Sequence, residues 1–189
     1  MGPIIDKYIT DFNETKVKEY LNAELADTFG NLLQRSTAKS VNKSQIYPKT
    51  DSNLIKSMET EASQLIESIN NLAEKCKNHY FSANFSSVIN EIMDCLRLNN
   101  TFINDTKPWL LAKQDSDVQR LDSILLITLE ALRVSAILLQ PIVPNISDKV
   151  LNKLNISSSN RQWIDAKHTF GSQQNLLNQQ NSIIFAKIR

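Results

Sequence analysis

Leu54-Ile-Lys-Ser-Met-Glu-Thr-Glu-Ala-Ser-Gln-Leu-Ile-Glu-Ser-Ile-Asn-Asn-Leu-Ala-Glu-Lys-Cys76 sets Leu54, Met58, Ala62, Leu65, Ile69, Leu72 and Cys76 three or four residues apart. That is the period of one helical face; a strand alternates at every second residue. The helix is expected to end before His79-Tyr80, and the same spacing recurs on both sides of it. A first helix is predicted from Asn13, a side chain suited to capping free amides, to about Arg35–Thr37, with Val17, Leu21, Leu25, Thr28 and Leu32 on one face. A third starts near Asn84, carries Phe85, Val88, Ile89, Ile92, Leu96, Asn99, Phe102 and Ile103, and is broken by Pro108. A fourth runs from Asp117 to Gln140 through Leu121, Ile124, Leu125, Thr128, Leu129, Leu132, Ala136 and Ile137, and Pro144 suits the first turn of a short fifth. Residues 39–52 are polar, contain Pro48 and lack a period, which reads as an extended connection across one end. Each apolar stripe needs a partner face. The expected fold is therefore an all-α antiparallel bundle of about five helices over residues 1–160, followed by an irregular tail over 161–189.

The chain has 189 residues, 41% of them hydrophobic and 22% charged, enough for one domain with its own core. Lys and Arg total 21 against 20 Asp and Glu, a formal charge of +1. No broad basic field exists for sequence-blind phosphate binding, so any nucleic-acid contact must be local and selective. The three glycines, Gly2, Gly30 and Gly171, are far apart, which excludes a glycine-rich phosphate loop of the nucleotide-binding type. Cys76 and Cys95 stand alone on apolar stripes, and His79 and His168 are well separated. No zinc spacing results, and the cysteines read as small buried thiols of a reducing compartment. The histidines, without a nearby nucleophile or carboxylate constellation, read as structural. No apolar run approaches the ~20 residues of a membrane span. The start, Met1-Gly-Pro-Ile-Ile-Asp6, has neither the basic region and apolar core of a signal peptide nor an Arg-rich amphipathic pattern.

Three places carry residues that a core does not require. In the first helix Asp27, Asn31 and Arg35 follow one another at intervals of four and form a polar ledge beside the apolar stripe. Such side chains can pair with the edge of a base, or simply with one another on a solvated face. In Lys107-Pro-Trp-Leu-Leu-Ala-Lys113 a tryptophan follows a proline between two lysines. Trp109 can be a platform for an unpaired base, with Lys107 and Lys113 meeting backbone phosphates, or an anchor set into the core. The third place, Leu132-Arg-Val134 through Leu139-Gln-Pro-Ile-Val-Pro144, reads as buried packing and a stiff corner. Trp163, beside no basic cluster, reads as a core anchor.

Three segments resemble the C-terminal anticodon-binding domain of methionyl-tRNA synthetase, a helical bundle of the class I synthetases. They are Tyr20-Leu-Asn-Ala-Glu-Leu-Ala-Asp-Thr-Phe-Gly-Asn-Leu-Leu-Gln-Arg35, Lys107-Pro-Trp-Leu-Leu-Ala-Lys113 and Leu138-Leu-Gln-Pro-Ile-Val-Pro144. The ending Ser182-Ile-Ile-Phe-Ala-Lys-Ile-Arg189 is similar to the segment that closes the family's shared core. Arg35-Ser-Thr-Ala-Lys-Ser-Val-Asn-Lys-Ser-Gln-Ile-Tyr-Pro48 is most like the mitochondrial members, which implies the mitochondrial matrix in preference to the cytosol. The resemblance implies recognition of the CAU anticodon of tRNA(Met), with Trp109 stacking on its first base and Asn31 and Arg35 at the family's matching positions. Many members have Asn where this chain has Asp27, and an ionised carboxylate accepts hydrogen bonds without donating them.

The family's catalytic half carries a His-Ile-Gly-His type motif and a Lys-Met-Ser-Lys-Ser loop, and neither occurs in these residues. ATP and methionine are ligands of the full-length family enzymes, so the expectation here is tRNA binding without catalysis, with no cofactor or metal in this chain. The chain thus reads as a fragment or truncated product whose tail can touch an absent catalytic domain. Two other readings remain: a helical protein-interaction module descended from such a domain, and the related bundle of an isoleucine, leucine or valine enzyme. Trp163, Leu176, Leu177, Ile183, Ile184 and Phe185 exceed what the five stripes need. An exposed apolar patch on a fast-exchanging tail is the corresponding expectation.

Overall fold

The computed structural model describes residues 13–49, 55–56, 58–114, 117–168, 175–178, 185 and 187. Helix α1 (Glu14–Leu21) begins where Asn13 Oδ1 accepts the Lys16 amide at 3.0 Å. It passes without interruption into a π-helical segment, Asn22–Gly30, and then α2, Asn31–Thr37. α3 (Glu59–Phe81) turns tightly through Ser82 and Ala83 into α4 (Phe85–Thr106), whose first turn is capped by Asn84. A short α5 (Pro108–Gln114) precedes α6 (Val118–Leu139), capped by Asp117, and α7 (Pro144–Lys153).

Side-chain pairs fix the directions. Glu24 meets Arg97 at 2.6 Å and Arg35 meets Asn104 at 2.8 Å, so the α1–α2 run is parallel to α4. Arg120 meets Glu61 at 2.7 Å, and Tyr80 donates to the Leu138 carbonyl, so α6 is parallel to α3. Successive long helices therefore alternate in direction, the up-down-up-down bundle that the stripes require. α6 lies at its centre, buried on every side from Ser123 to Leu139.

The structure departs from the sequence expectations in several places, each with a physical cause. Hydrogen bonds from residue i to i+5 give the π-helical segment wider turns than an α-helix, so the inward face drifts along the first helix. Val17 is 39% exposed, while Phe29 and Leu33, outside the expected stripe, are buried. α3 runs on through His79-Tyr80 to Phe81, because Tyr80 finds a partner across the bundle. Phe85, expected on the inner stripe, is exposed and packs edge-on against Tyr80. The stretch around Pro108 is helical: Lys107 closes α4 in the left-handed region at φ 47°, and Pro108 opens α5, where its missing N–H costs nothing.

The connection after α2 is built, not merely extended. Gln45, itself left-handed at φ 50°, donates to the carbonyls of Thr37 at 2.9 Å and Asn42 at 2.7 Å. Asn42 Nδ2 donates to the Ile46 carbonyl at 2.7 Å. These amides are buried because the backbone satisfies them. Ile46–Tyr47 then forms strand β1, paired antiparallel with β2, Asn175–Leu176. Within the tail, Ala166 and Leu177 are core residues, Phe185 is half-buried, and Leu176 is exposed; Ile183 and Ile184 lie outside the described residues. Trp163 is not the expected core anchor: it is 42% exposed and meets Tyr80 edge-on, ring centroids 5.8 Å apart.

Cys76 on α3 and Cys95 on α4 are free and buried. Desolvation pushes their thiols up, to about 12 and about 11. Since the thiolate is the nucleophile, neither is expected to react with iodoacetamide in the native protein near pH 8, and both should react once the chain is unfolded in guanidinium. Mass spectrometry reads the result; stoichiometric labelling of the native protein would show that the α3–α4 contact opens freely.

Candidate functional site

One pole of the bundle gathers the C-termini of α2 and α4, the start of α6 and the whole of α5. Proline disfavours the α conformation in the residue before it, and α4 ends at that residue, Lys107. The chain turns at Lys107, and the next helix opens at Pro108 with Trp109 packed against the bundle. The indole is half-buried and packs on the main core and on the small cluster of Val41, Ala112, Leu121 and Leu125. Trp109 is thus anchored and partly open at once.

Arg35 reaches across from the last turn of α2. Its guanidinium carbon lies 5.1 Å from the centre of the Trp109 ring, a cation–π geometry. The same group donates to Asn104 Oδ1 at 2.8 Å, which fixes the plane of the fork from the α4 side. Spacing along the first helix gave no hint of Asn104. The signal was its position five residues before the tryptophan, one helical turn above the break at Lys107. A cavity of about 220 Å³ opens beside the pair, lined by Arg35, Ala38, Ser40, Val41, Ile103, Pro108 and Trp109. Its lining is mostly apolar with a cation at one wall, a setting that suits a planar ring with polar edges.

Asn31 is exposed one turn before Arg35, with an amide able to present donors and acceptors to solvent. Asp27 lies in the π-helical segment, so the regular four-residue stack expected of Asp27, Asn31 and Arg35 is interrupted between the first two. Its carboxylate meets Lys187 Nζ at 2.8 Å. Lys107 and Lys113 are exposed on either side of Trp109. Arg35 is not one of a row of solvated helix pairs; it leans away from the ledge onto the ring.

Among the described residues no group of His, Cys, Asp and Glu is placed to hold a metal ion, and no helix is long and apolar enough to cross a membrane. Arg133, part of the apolar α6 stretch, is buried and ion-paired to Glu130, which the third sequence segment did not foretell.

With this geometry in view, the comparisons with known proteins are specific. The family described as the anticodon-binding domain of tRNA ligase matches residues 62–188. The mitochondrial methionine–tRNA ligase of Takifugu rubripes is 33% identical over 159 residues, covering 81% of this chain and 27% of that protein. The probable mitochondrial enzyme of Dictyostelium discoideum is 36% identical over 157 residues, covering 80% and 27%. The methionine–tRNA ligase of the cyanobacterium Synechocystis is 32% identical over 154 residues, covering 81% and 28%. In three dimensions the chain matches the free methionyl-tRNA synthetase of Mycobacterium tuberculosis with a TM-score of 0.84 at 22% identity, covering 94% of this chain and 35% of that one. The same enzyme bound by methionyl-adenylate matches with a TM-score of 0.79 at 22% identity, covering 92% and 34%.

The chain belongs to the anticodon-binding domains of tRNA ligases. Within that family it is of the methionyl type, the type of these relatives, and the isoleucine, leucine and valine alternatives are not favoured. It spans about a quarter of the length of the curated relatives, 27% in the fish and Dictyostelium proteins.

Proposed function

We propose that this domain recognises the CAU anticodon of tRNA(Met) for a methionine–tRNA ligase of mitochondrial translation, acting in the mitochondrial matrix. The observation that carries the reading is the Arg35–Trp109 pair at an open pole, held by Asn104 and flanked by exposed Asn31. A base stacked beside the indole gains the sequence-blind part of the affinity; the guanidinium fork and the amide supply direction. The phosphates of the anticodon loop meet Lys107 and Lys113 locally, in keeping with a formal charge of only +1 over the whole chain. ATP and methionine belong, on this reading, to the catalytic half of a full-length enzyme. The mitochondrial assignment is supported by the names of the animal and Dictyostelium relatives. A descended protein-interaction module would have no use for a cation held over a half-buried tryptophan at an open pole.

The test is competition at fixed salt between anticodon stem-loops carrying CAU and carrying other anticodons. Arg35→Lys keeps the charge and discards the planar fork. Discrimination should fall about tenfold or more, the value of one directional base contact, while overall affinity changes less. A Lys variant that discriminates as well as the parent removes Arg35 from base reading. A parent chain that shows no preference for CAU removes the proposal.

A further inference from the structure

The last described residues of the chain return to the first helix at the ledge itself. Phe185 sits on the π-helical segment, its ring centroid 6.3 Å from that of Phe29. A Cβ at Gly30 would lie 2.9 Å from Phe185 Cδ2 and 3.1 Å from the Leu25 carbonyl oxygen, so the absence of a side chain there is what admits the ring. Two residues on, Lys187 Nζ lies 2.8 Å from Asp27. Both partners are more than half exposed, so the pair itself adds little stability. Its consequence is electrostatic: it places a cation beside a carboxylate on the surface assigned above to RNA, where the carboxylate alone would repel the phosphates.

We propose that Lys187 is a phosphate-contacting residue of the tRNA surface, delivered to the ledge by the seat of Phe185 on Gly30 and held there by Asp27. An ammonium has three donors, and one engaged by Asp27 leaves two for a phosphate oxygen. Asp27 is eight residues, about two turns and on the order of 10 Å, before Arg35 along the helix, so Lys187 meets the strand outside the pocket that holds the stacked base. Asp27 on this view reads no base; it positions the lysine.

This inference rests on the anticodon reading and fails separately from it. Binding of a CAU stem-loop to the full 189-residue chain is measured against salt for the parent, Lys187→Gln, Asp27→Asn, the double variant and Gly30→Ala. Lys187→Gln, an exposed change that leaves the fold intact, should weaken CAU and non-CAU loops alike by several-fold. It should also make the slope of log K against log salt shallower by about 0.7 to 1, the loss of one phosphate contact. Gly30→Ala, which dislodges Phe185, should lower the slope by the same amount; circular dichroism and a retained CAU preference show that the bundle and pocket survive. If Lys187 merely neutralised Asp27, the double variant would regain parental affinity and slope, and that result overturns the proposal. So does a Lys187→Gln chain with an unchanged slope beside a parent that selects CAU. Absence of selective binding by the parent, in contrast, removes the anticodon reading itself.

Discussion

Arg133→Met is expected to lower the unfolding free energy of this domain by about 3–5 kcal/mol, the cost of breaking a buried ion pair from one side. Arg133 and Glu130 are one turn apart on the central helix, and almost nothing of either is exposed. The guanidinium engages the carboxylate twice, Nε to Oε1 and Nη2 to Oε2, both at 3.0 Å. It also donates to the carbonyls of Asp165 at 2.6 Å and Lys167. Tyr47 of β1 donates to Glu130 Oε1, the oxygen that also accepts from Arg133 Nε. Burial, and then the adjacent Glu130 charge, hold the Tyr47 hydroxyl well above the ordinary tyrosine range. One pair on α6 thus ties down two irregular segments, the connection before α3 and the turn after α7. Removing the arginine takes the guanidinium away from Glu130 and releases those carbonyls. Urea unfolding followed by circular dichroism gives the loss. The double variant Arg133→Met with Glu130→Leu should recover much of it, because two apolar side chains incur no desolvation of charge. A single variant within 1 kcal/mol of the parent would mean that water, not Arg133, compensates the carboxylate.

Trp109→Ala is expected to weaken binding of a CAU stem-loop by about 1–3 kcal/mol, the range for one lost base–aromatic stack. The indole also carries Arg35 on its face, so the fork loses its seat and keeps only Asn104. Selectivity should therefore fall together with affinity, which a purely phosphate-binding cation would not produce. Because the ring packs partly on the core, the variant will also lose stability. Trp109→Phe separates the two effects by keeping an aromatic face and most of the packing: it should bind nearer the parent than the alanine variant does, at a temperature where all three remain folded by circular dichroism. Parental affinity in a folded alanine variant would make the tryptophan an anchor alone.

The apolar spacing of Leu54 to Cys76, repeated on either side, determined the helical class and the number of long helices; Asn13 was legible as a cap, and the helix starts near Asn84 and Asp117 proved to be capped by those residues. Those are local properties: a 3.6-residue period and a side chain that bonds an amide three residues on can be read without knowing the neighbours. The Arg35 and Trp109 positions were legible as residues a core does not require. Their contact was not legible, since 74 residues of chain separate partners that only the bundle's directions bring within 5.1 Å. Asn104 was missed for the same reason.

Tertiary structure alone decided the rest. Asn42 and Gln45 look like loop residues until their amides are seen to bond the backbone inside the protein. A buried Arg133 reads as an error in an apolar helix until Glu130 and the carbonyls of distant turns surround it. The π-helical turns, which carry Asp27 and seat Phe185, leave no mark on hydrophobic spacing beyond a drift of the buried face. The sequence by itself determined which segments form the long helices and most of the residues that they turn inward, because amphipathicity is written every three or four residues. Where the polar groups go was settled only by the assembled chain, because a buried donor or charge is acceptable solely when a partner from elsewhere in the fold satisfies it.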